Sequence, residues 1–177
     1  MDAMENILTR RSVRVYEDKP VEREMLERVL SAAQMAPTWK NTQTPGYIVI
    51  ESSEMKQKLM EALPSYNVRN VSTAPVVIVM TTKKKRCAYE RDGSFSTKKE
   101  DRWEMFDAGI ACQTLCLAAW AEGLGTCIMG IYDEEQVPAL LEVPEDQYVT
   151  AIVSLGYPAE QPKAPKRKPL DEKVRYV

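Results

Sequence analysis

Residues 103–120 constrain the fold more than any other stretch of this chain. From Trp103 through Phe106, Ile110, Ala111, Leu115, Leu117 and Ala118 to Trp120, the side chains are apolar nearly all the way round a helix. A surface helix shows one apolar stripe and one polar face, so a helix without a polar face has to be covered on every side. The reading is a central, buried helix with the other elements packed around it. A chain of 177 residues, 44% hydrophobic and 28% charged, has the material for one such core and falls outside the disordered and collagen-like classes. No apolar run reaches the length that spans a bilayer, and the N-terminus lacks the apolar segment of a signal peptide. A cytoplasmic protein without membrane association is expected.

Around that helix the periodicities predict both helices and strands. Residues 3–9 read as a short helix, and Asp18-Lys19-Pro20 opens a stronger one, with Pro20 in its first turn. Met25, Leu26, Val29, Leu30 and Ala33 then keep helical spacing, and the helix ends near Ala36-Pro37. Residues 47–50 read as a strand, 53–63 as a serine-capped helix and 75–81 as a continuously apolar strand. The polar segment 83–101 is expected to be a mobile excursion. Gly123-Leu124-Gly125 ends the central helix, and 126–129 follow as a short strand. Asp133-Glu134-Glu135-Gln136 starts a helix to Leu141, and 148–155 are a strand closed by Gly156-Tyr157-Pro158. The tail, 162–177, is broken by Pro162, Pro165 and Pro169 and is expected to cross a surface in extended form. There are no internal repeats, so residues 1–177 read as one domain.

The chain has no histidine. That removes a histidine-containing catalytic triad, a histidine metal site and histidine acid–base chemistry. Cys87, Cys112, Cys116 and Cys127 lack the paired spacing of metal ligands and read as buried free thiols; no metal site is expected. The net charge of -2 hides local bias: residues 83–86 and 163–168 are basic, while 22–27 and 133–145 are acid-rich. Nucleic acid is not suggested by this balance.

Arg10-Arg11-Ser12-Val13-Arg14 gathers three cations and a hydroxyl after the first helix. Guanidinium groups present planar forks of donors that match phosphate oxygens, so phosphate or a phosphate ester is the ligand this strip suits. In an extended chain Arg10, Ser12 and Arg14 share one face and Arg11 and Val13 the other. The plain alternative is a solvated helix end whose arginines complement the helix dipole.

Four segments require a common explanation: this strip, residues 36–43 (Ala-Pro-Thr-Trp-Lys-Asn-Thr-Gln), residues 123–130 (Gly-Leu-Gly-Thr-Cys-Ile-Met-Gly) and residues 165–170 (Pro-Lys-Arg-Lys-Pro-Leu). In that order and at those intervals, with Ala-Pro-Val-Val-Ile-Val as the intervening strand, they resemble the nitroreductase family of FMN-dependent oxidoreductases. The resemblance implies an α+β fold, with a central mixed, mostly antiparallel sheet flanked by helices, in an interlocked homodimer with shared flavin sites. It matches Arg10 and Ser12, with Arg11 between them, to the strip that holds the FMN phosphate and ribityl chain, and Arg14 to the cation beside the pyrimidine edge. Pro37, Thr38, Trp39 and Asn41 match the loop that the partner subunit lays against the flavin, and Asn67 an asparagine that contacts the ring system or ribityl side. Met129 and Gly130 match a backbone turn facing flavin N5 and O4. Lys166, Arg167 and Lys168 match cations closing over the phosphate, from a tail that reaches the partner subunit.

The family usually reads Asn-x-Gln-Pro-Trp after the second helix; here Asn41-Thr42-Gln43 continues as Thr44-Pro45-Gly46, and Trp39 stands where a small residue is usual. Trp39 is expected in the subunit interface or the pocket wall. The activity implied is hydride transfer from NADH or NADPH, by way of flavin N5, to an electron-poor small-molecule acceptor such as a nitroaromatic or quinone. The mechanism is ping-pong, with no catalytic side chain and Arg14 as electrostatic support. The alternatives are a non-enzymatic flavin-binding module, another flavin reaction such as reductive dehalogenation, and a basic interaction protein using residues 83–86 and the tail.

Overall fold

The computed structural model describes residues 2–177. Helix α1 (Ala3–Thr9) is capped by Asp2, whose carboxylate accepts the Glu5 N–H at 2.8 Å. Helix α2 (Arg23–Gln34) starts later than Pro20: Val21 is drawn into the core ahead of it, and Glu22 is its extended N-cap. Strand β1 (Pro45–Ile50) leads to α3 (Ser53–Glu61), which Ser52 caps. Helix α4 (Ser65–Ser72), unforeseen in the sequence, precedes β2 (Val76–Lys83). Then come α5 (Arg102–Ala121), β3 (Gly125–Met129), α6 (Gln136–Leu140) and β4 (Gln147–Gly156). Helix α6 starts only at Gln136 because Asp133 closes a turn first, accepting the N–H groups of Glu135 and Gln136.

The architecture is α+β. The sheet runs β1-β2-β4-β3 with every strand pair antiparallel, and its parallel element is a bridge from Ser12 to Thr126 beside β3. In β2, Val76, Ile78 and Met80 point to a layer formed by α2 and α5, while Val77 and Val79 point to Leu59, Val71 and Val137 of α3, α4 and α6. Buried on both faces, the strand has no reason to alternate, hence its continuous apolar run. Among the described residues no helix is long and apolar enough to cross a membrane.

Helix α5 departs from the expectation of uniform apolar burial. Glu104 and Asp107 are among its most buried residues, at 4% and 2% exposure, whereas Met105 and Phe106 are more than half exposed. The cause lies outside the helix: two loops fold over its first turns, and their backbone N–H groups need acceptors. One of them is the 83–101 segment. It is not a free excursion, since Cys87 and Ala88 are fully buried. The tail is exposed and contains one 3-10 turn, Leu170–Glu172.

Candidate functional site

The arginine strip is held by its one apolar member. Val13 is fully buried, its N–H donates to the Thr126 carbonyl at 2.9 Å, and the buried Tyr16 hydroxyl reaches the Val13 carbonyl at 2.7 Å. A Cβ at position 125 would stand 2.6 Å from Val13 Cγ2, so only glycine lets β3 come this close. With Val13 turned in, Ser12 lies in register with Thr126 and Arg14 faces outward, its Nη1 donating to the Ser12 carbonyl at 3.2 Å. Arg11 turns away. Its guanidinium donates to the carbonyls of Leu8 and Arg10 at 2.7 and 2.8 Å, which closes the C-terminus of α1.

Arg14 lines a cleft of about 570 Å³ together with Ser65, Asn67, Arg69 and Asn70 of α4 and Cys127 of β3. Burial pushes the Cys127 thiol up while the charges of Arg14 and Arg10 pull against that rise, which places both cations within electrostatic reach of one sulfur. Asn67 donates through Nδ2 to the Ile131 carbonyl at 2.9 Å, and its Oδ1 faces Asn70 Nδ2 at 3.5 Å. Asn70 is 4% exposed, yet its Oδ1 has no hydrogen-bond partner among the described residues. A buried carbonyl oxygen left this way costs stability unless something binds it. At the end of β3, Met129 is buried, and Gly130 beyond it is exposed with open space around its α-carbon.

The second group of sequence-predicted residues lies elsewhere. The Trp39 N–H donates to Asp107 Oδ2 at 2.8 Å, the Trp39 ring stands 4.8 Å from that of Trp103, and Thr38 Oγ1 accepts the Gln43 N–H. Pro37 and Asn41 flank this anchor, at the N-terminal end of α5. The strip sits at the other end, where α1 is tied to α5 by Asn6 donating to the Leu117 carbonyl and Trp120 Nε1 donating to Thr9. From Asp107 to Leu117 the helix rises about 15 Å at 1.5 Å per residue. Lys166, Arg167 and Lys168 lie on the exposed tail, with Lys168 near Glu172 at 3.8 Å.

Within one chain Arg14 and Asn67 line one cleft, with Ser12 on the strip beside β3 and Arg10 within electrostatic reach of Cys127, whereas Pro37, Thr38, Trp39, Asn41 and the tail cations do not line it. Ser65, Arg69, Asn70 and Cys127 join the cleft without having been singled out. For Asn70 a signal was available: it follows Asn67 by three residues, which puts both on one helix face. In the basic run at 83–86, the Lys83 charge is paired with Asp146 at 3.0 Å, and Lys84 donates to the Glu145 carbonyl. No group of three or more acidic or cysteine side chains among the described residues suits a metal ion.

The profile of the nitroreductase family matches residues 7–157. This chain belongs to the nitroreductase family. A relative from Archaeoglobus fulgidus, provisionally named an NADH dehydrogenase/NAD(P)H nitroreductase, is 34% identical over 164 residues, covering 90% of this chain and 87% of its own. The FMN reductase (NAD(P)H) of Bacillus subtilis is 28% identical, covering 95% of this chain and 70% of its own. Among solved structures, an FMN-dependent nitroreductase from Clostridium difficile R20291 has the same fold, with a TM-score of 0.79, 29% identity and 98% of each chain covered. Fold and family agree along the whole length from α1 to β4.

Proposed function

We propose that this nitroreductase-family chain is an FMN-dependent oxidoreductase. It moves hydride from NADH or NADPH to an electron-poor small-molecule acceptor, a nitroaromatic or quinone, in a homodimer with shared flavin sites. The observation that carries this reading is the cleft beside β3. Arg14 and Arg69 line it, Arg10 lies within electrostatic reach of its thiol, and it contains a buried amide oxygen with no partner of its own. That donor set fits FMN, which brings a dianionic phosphate for Arg10 and Ser12 and a ring edge of alternating donors and acceptors for Arg14, Asn67 and Asn70.

FMN, when bound, supplies a hydride carrier at its N5 atom. The chain's own residues bind and orient. Arg14 fixes a positive charge at the pyrimidine edge, where it favours the more negative, reduced form. The backbone at Met129 and Gly130 offers N–H groups without demanding a particular side chain. The cleft contains no histidine and its thiol is held protonated, so solvent water serves the proton transfers.

Several features support the dimer. The loop at Pro37–Asn41 is anchored at Asp107 and the helix before the strip at Leu117 and Trp120, about 15–20 Å apart along α5, and no residue of the loop lines the cleft of its own chain, which supports a loop that serves the flavin of the partner. Helix α1 has no buried residue, and Met4, Ile7, Leu8, Met105, Phe106 and Ile131 are more than half exposed. Strand β1 is an open sheet edge beside a groove of about 570 Å³ lined by Ile48, Ile50, Met55 and Leu140. Val174, Tyr176 and Val177 are exposed on the tail, and a strand added along that edge covers both. Lys166, Arg167 and Lys168 then travel with the tail to the partner. The four free thiols suit a reducing cytoplasm.

The test is reconstitution with FMN. About one FMN per chain is expected, its visible band bleached by NADH or NADPH and restored by a quinone, with a dimer in sedimentation at low concentration. A colourless protein that ignores FMN overturns the activity, and a monomer that keeps its flavin overturns the shared site.

A further inference from the structure

The reaction just described makes no use of the two buried carboxylates on α5. Charged side chains at 4% and 2% exposure are retained only where something pairs with them. Glu104 accepts the Lys85 N–H at 2.7 Å. Asp107, three residues on, accepts the Trp39 N–H at 2.8 Å and the Cys87 S–H at 3.1 Å, both through Oδ2. Burial, reinforced by the adjacent carboxylate, pushes the Cys87 thiol up, so the sulfur keeps its proton and is the donor. One oxygen therefore ties residues 37–43 to residues 83–101.

The first of those loops needs such a tie. Lys40, Asn41 and Gln43 adopt φ values of 45°, 54° and 51°, left-handed conformations that residues with a Cβ avoid. Besides the loop's own backbone turns, Asn41 N–H to the Thr38 carbonyl at 3.0 Å and Thr42 N–H to the Trp39 carbonyl at 2.9 Å, two side-chain contacts hold it: the Thr38 hydroxyl accepting the Gln43 N–H, and an ion pair from Lys40 to Glu90 at 3.2 Å. Both are exposed to water, which competes for them. The Asp107 contact is the buried one. Its consequence is an aromatic wall: the Trp39 and Trp103 rings lie 4.8 Å apart and tilted, and the edge-on Phe106 ring lies 5.1 Å from Trp103.

We propose that Asp107 is the positioning residue for the acceptor. By clamping the Trp39 backbone and Cys87 to α5, it sets where the Trp39–Trp103–Phe106 wall stands against the ring of a quinone or nitroarene. This rests on the reading that the Trp39 loop lies against the flavin of the partner subunit. An electron-poor ring gains from stacking on electron-rich indole, whereas the electron-rich reduced nicotinamide gains less and draws on the rest of its dinucleotide for binding. The clamp therefore acts on the acceptor more than on the donor.

The experiment uses the FMN-loaded protein, with menadione and nitrobenzene as acceptors. In Asp107→Ala the acceptor KM rises by roughly tenfold, the scale expected for losing a buried charge-assisted hydrogen bond. With FMN saturating, the midpoint potential and the rate of bleaching by NADH stay within about twofold of the parent. Asp107→Asn keeps a carbonyl oxygen for the same donors and restores most of the acceptor affinity. Trp39→Leu keeps the clamp but removes the wall, and reproduces the acceptor defect; it also carries the test if Asp107→Ala does not fold. An unchanged acceptor KM in a flavin-loaded Asp107→Ala or Trp39→Leu overturns the proposal, as does equal damage to the NADH and acceptor steps. A parent protein that takes up no FMN overturns the reading beneath, and the proposal falls with it.

Discussion

The two ends of α5 are built on opposite plans. Towards its C-terminal end the neighbouring strip, with α4 across the cleft, presents cations and amides with bonding capacity to spare: an exposed Arg14 and an unpartnered Asn70 oxygen. At its N-terminal end the carboxylates are occupied by loop N–H groups and the rings stack on one another. The first end is a place for a ligand that brings charge and polar edges. At the second, the carboxylates and the loop N–H groups are met within the chain and the Trp39 indole N–H is buried without a partner among the described residues; in the proposed dimer this end closes the site of the partner subunit. A dimer that sets one end against the other turns two half-sites into a whole one.

The sharpest way to break this contrast is to remove the cations of the first end. Arg10→Ala combined with Arg14→Ala deletes two charge-assisted contacts of about 1.5–3 kcal/mol each, so the FMN Kd should weaken by roughly a hundredfold or more. Flavin fluorescence titration measures it, and near-ultraviolet circular dichroism from the tryptophan cluster should not change. An unaltered Kd would mean that the anion site lies elsewhere. Next in size is Gly125→Ala, which drives a methyl into Val13 and should lower stability by about 1–3 kcal/mol. The thermal midpoint would fall and the strip's grip on FMN would loosen with it; a neutral result would show that β3 and the strip are free to part.

A smaller effect is expected of Arg14→Ala alone. Its charge favours the reduced flavin over the oxidised one, so the midpoint potential should drop by on the order of 30 mV, equivalent to about 1.4 kcal/mol for two electrons. An unchanged potential would remove Arg14 from the pyrimidine edge. The smallest effect belongs to the other end. Burial raises Glu104 above its ordinary 4.5, with the Lys85 N–H, the Tyr148 hydroxyl and the Arg86 N–H pulling back. A carboxyl raised in the folded state holds its proton more tightly there than when unfolded. Its contribution is full below 4.5 and is lost as pH rises through the raised value. Glu104→Gln should flatten the decline in thermal midpoint as pH rises above 4.5, and identical slopes would show that the loop N–H groups fully offset burial.

What the sequence disclosed follows the range of the forces involved. The spacing of Leu26, Val29 and Ala33 and the unbroken run of β2 are local consequences of core contact, and both elements stand where that pattern puts them. Helix α4 was missed because Ser65, Asn67, Asn70 and Ser72 blur its apolar spacing, and its polar face is turned to the cleft instead of to water. The 83–101 segment looks free because its composition is polar. It is anchored by partners on α5 about 20 residues away in sequence, which composition does not encode. In the cleft, Arg14 and Asn67 were named through the family resemblance, as were Arg10 and Ser12 on the strip beside it. Asn70 required seeing that its oxygen is buried with nothing to meet it.

All four cysteines are free and buried, and they are distributed between the two ends: Cys87 under the 83–101 segment, Cys127 in the wall of the cleft, and Cys112 and Cys116 in the core between. A thiol reagent can reach each sulfur only when the structure over it opens. The chain thus carries built-in clocks. The labelling rate of Cys87 times the lifting of the loops that hold the aromatic wall, that of Cys127 times the breathing of the cleft, and the core pair times global unfolding. Labelling would separate these motions residue by residue, with no cysteine introduced into the protein.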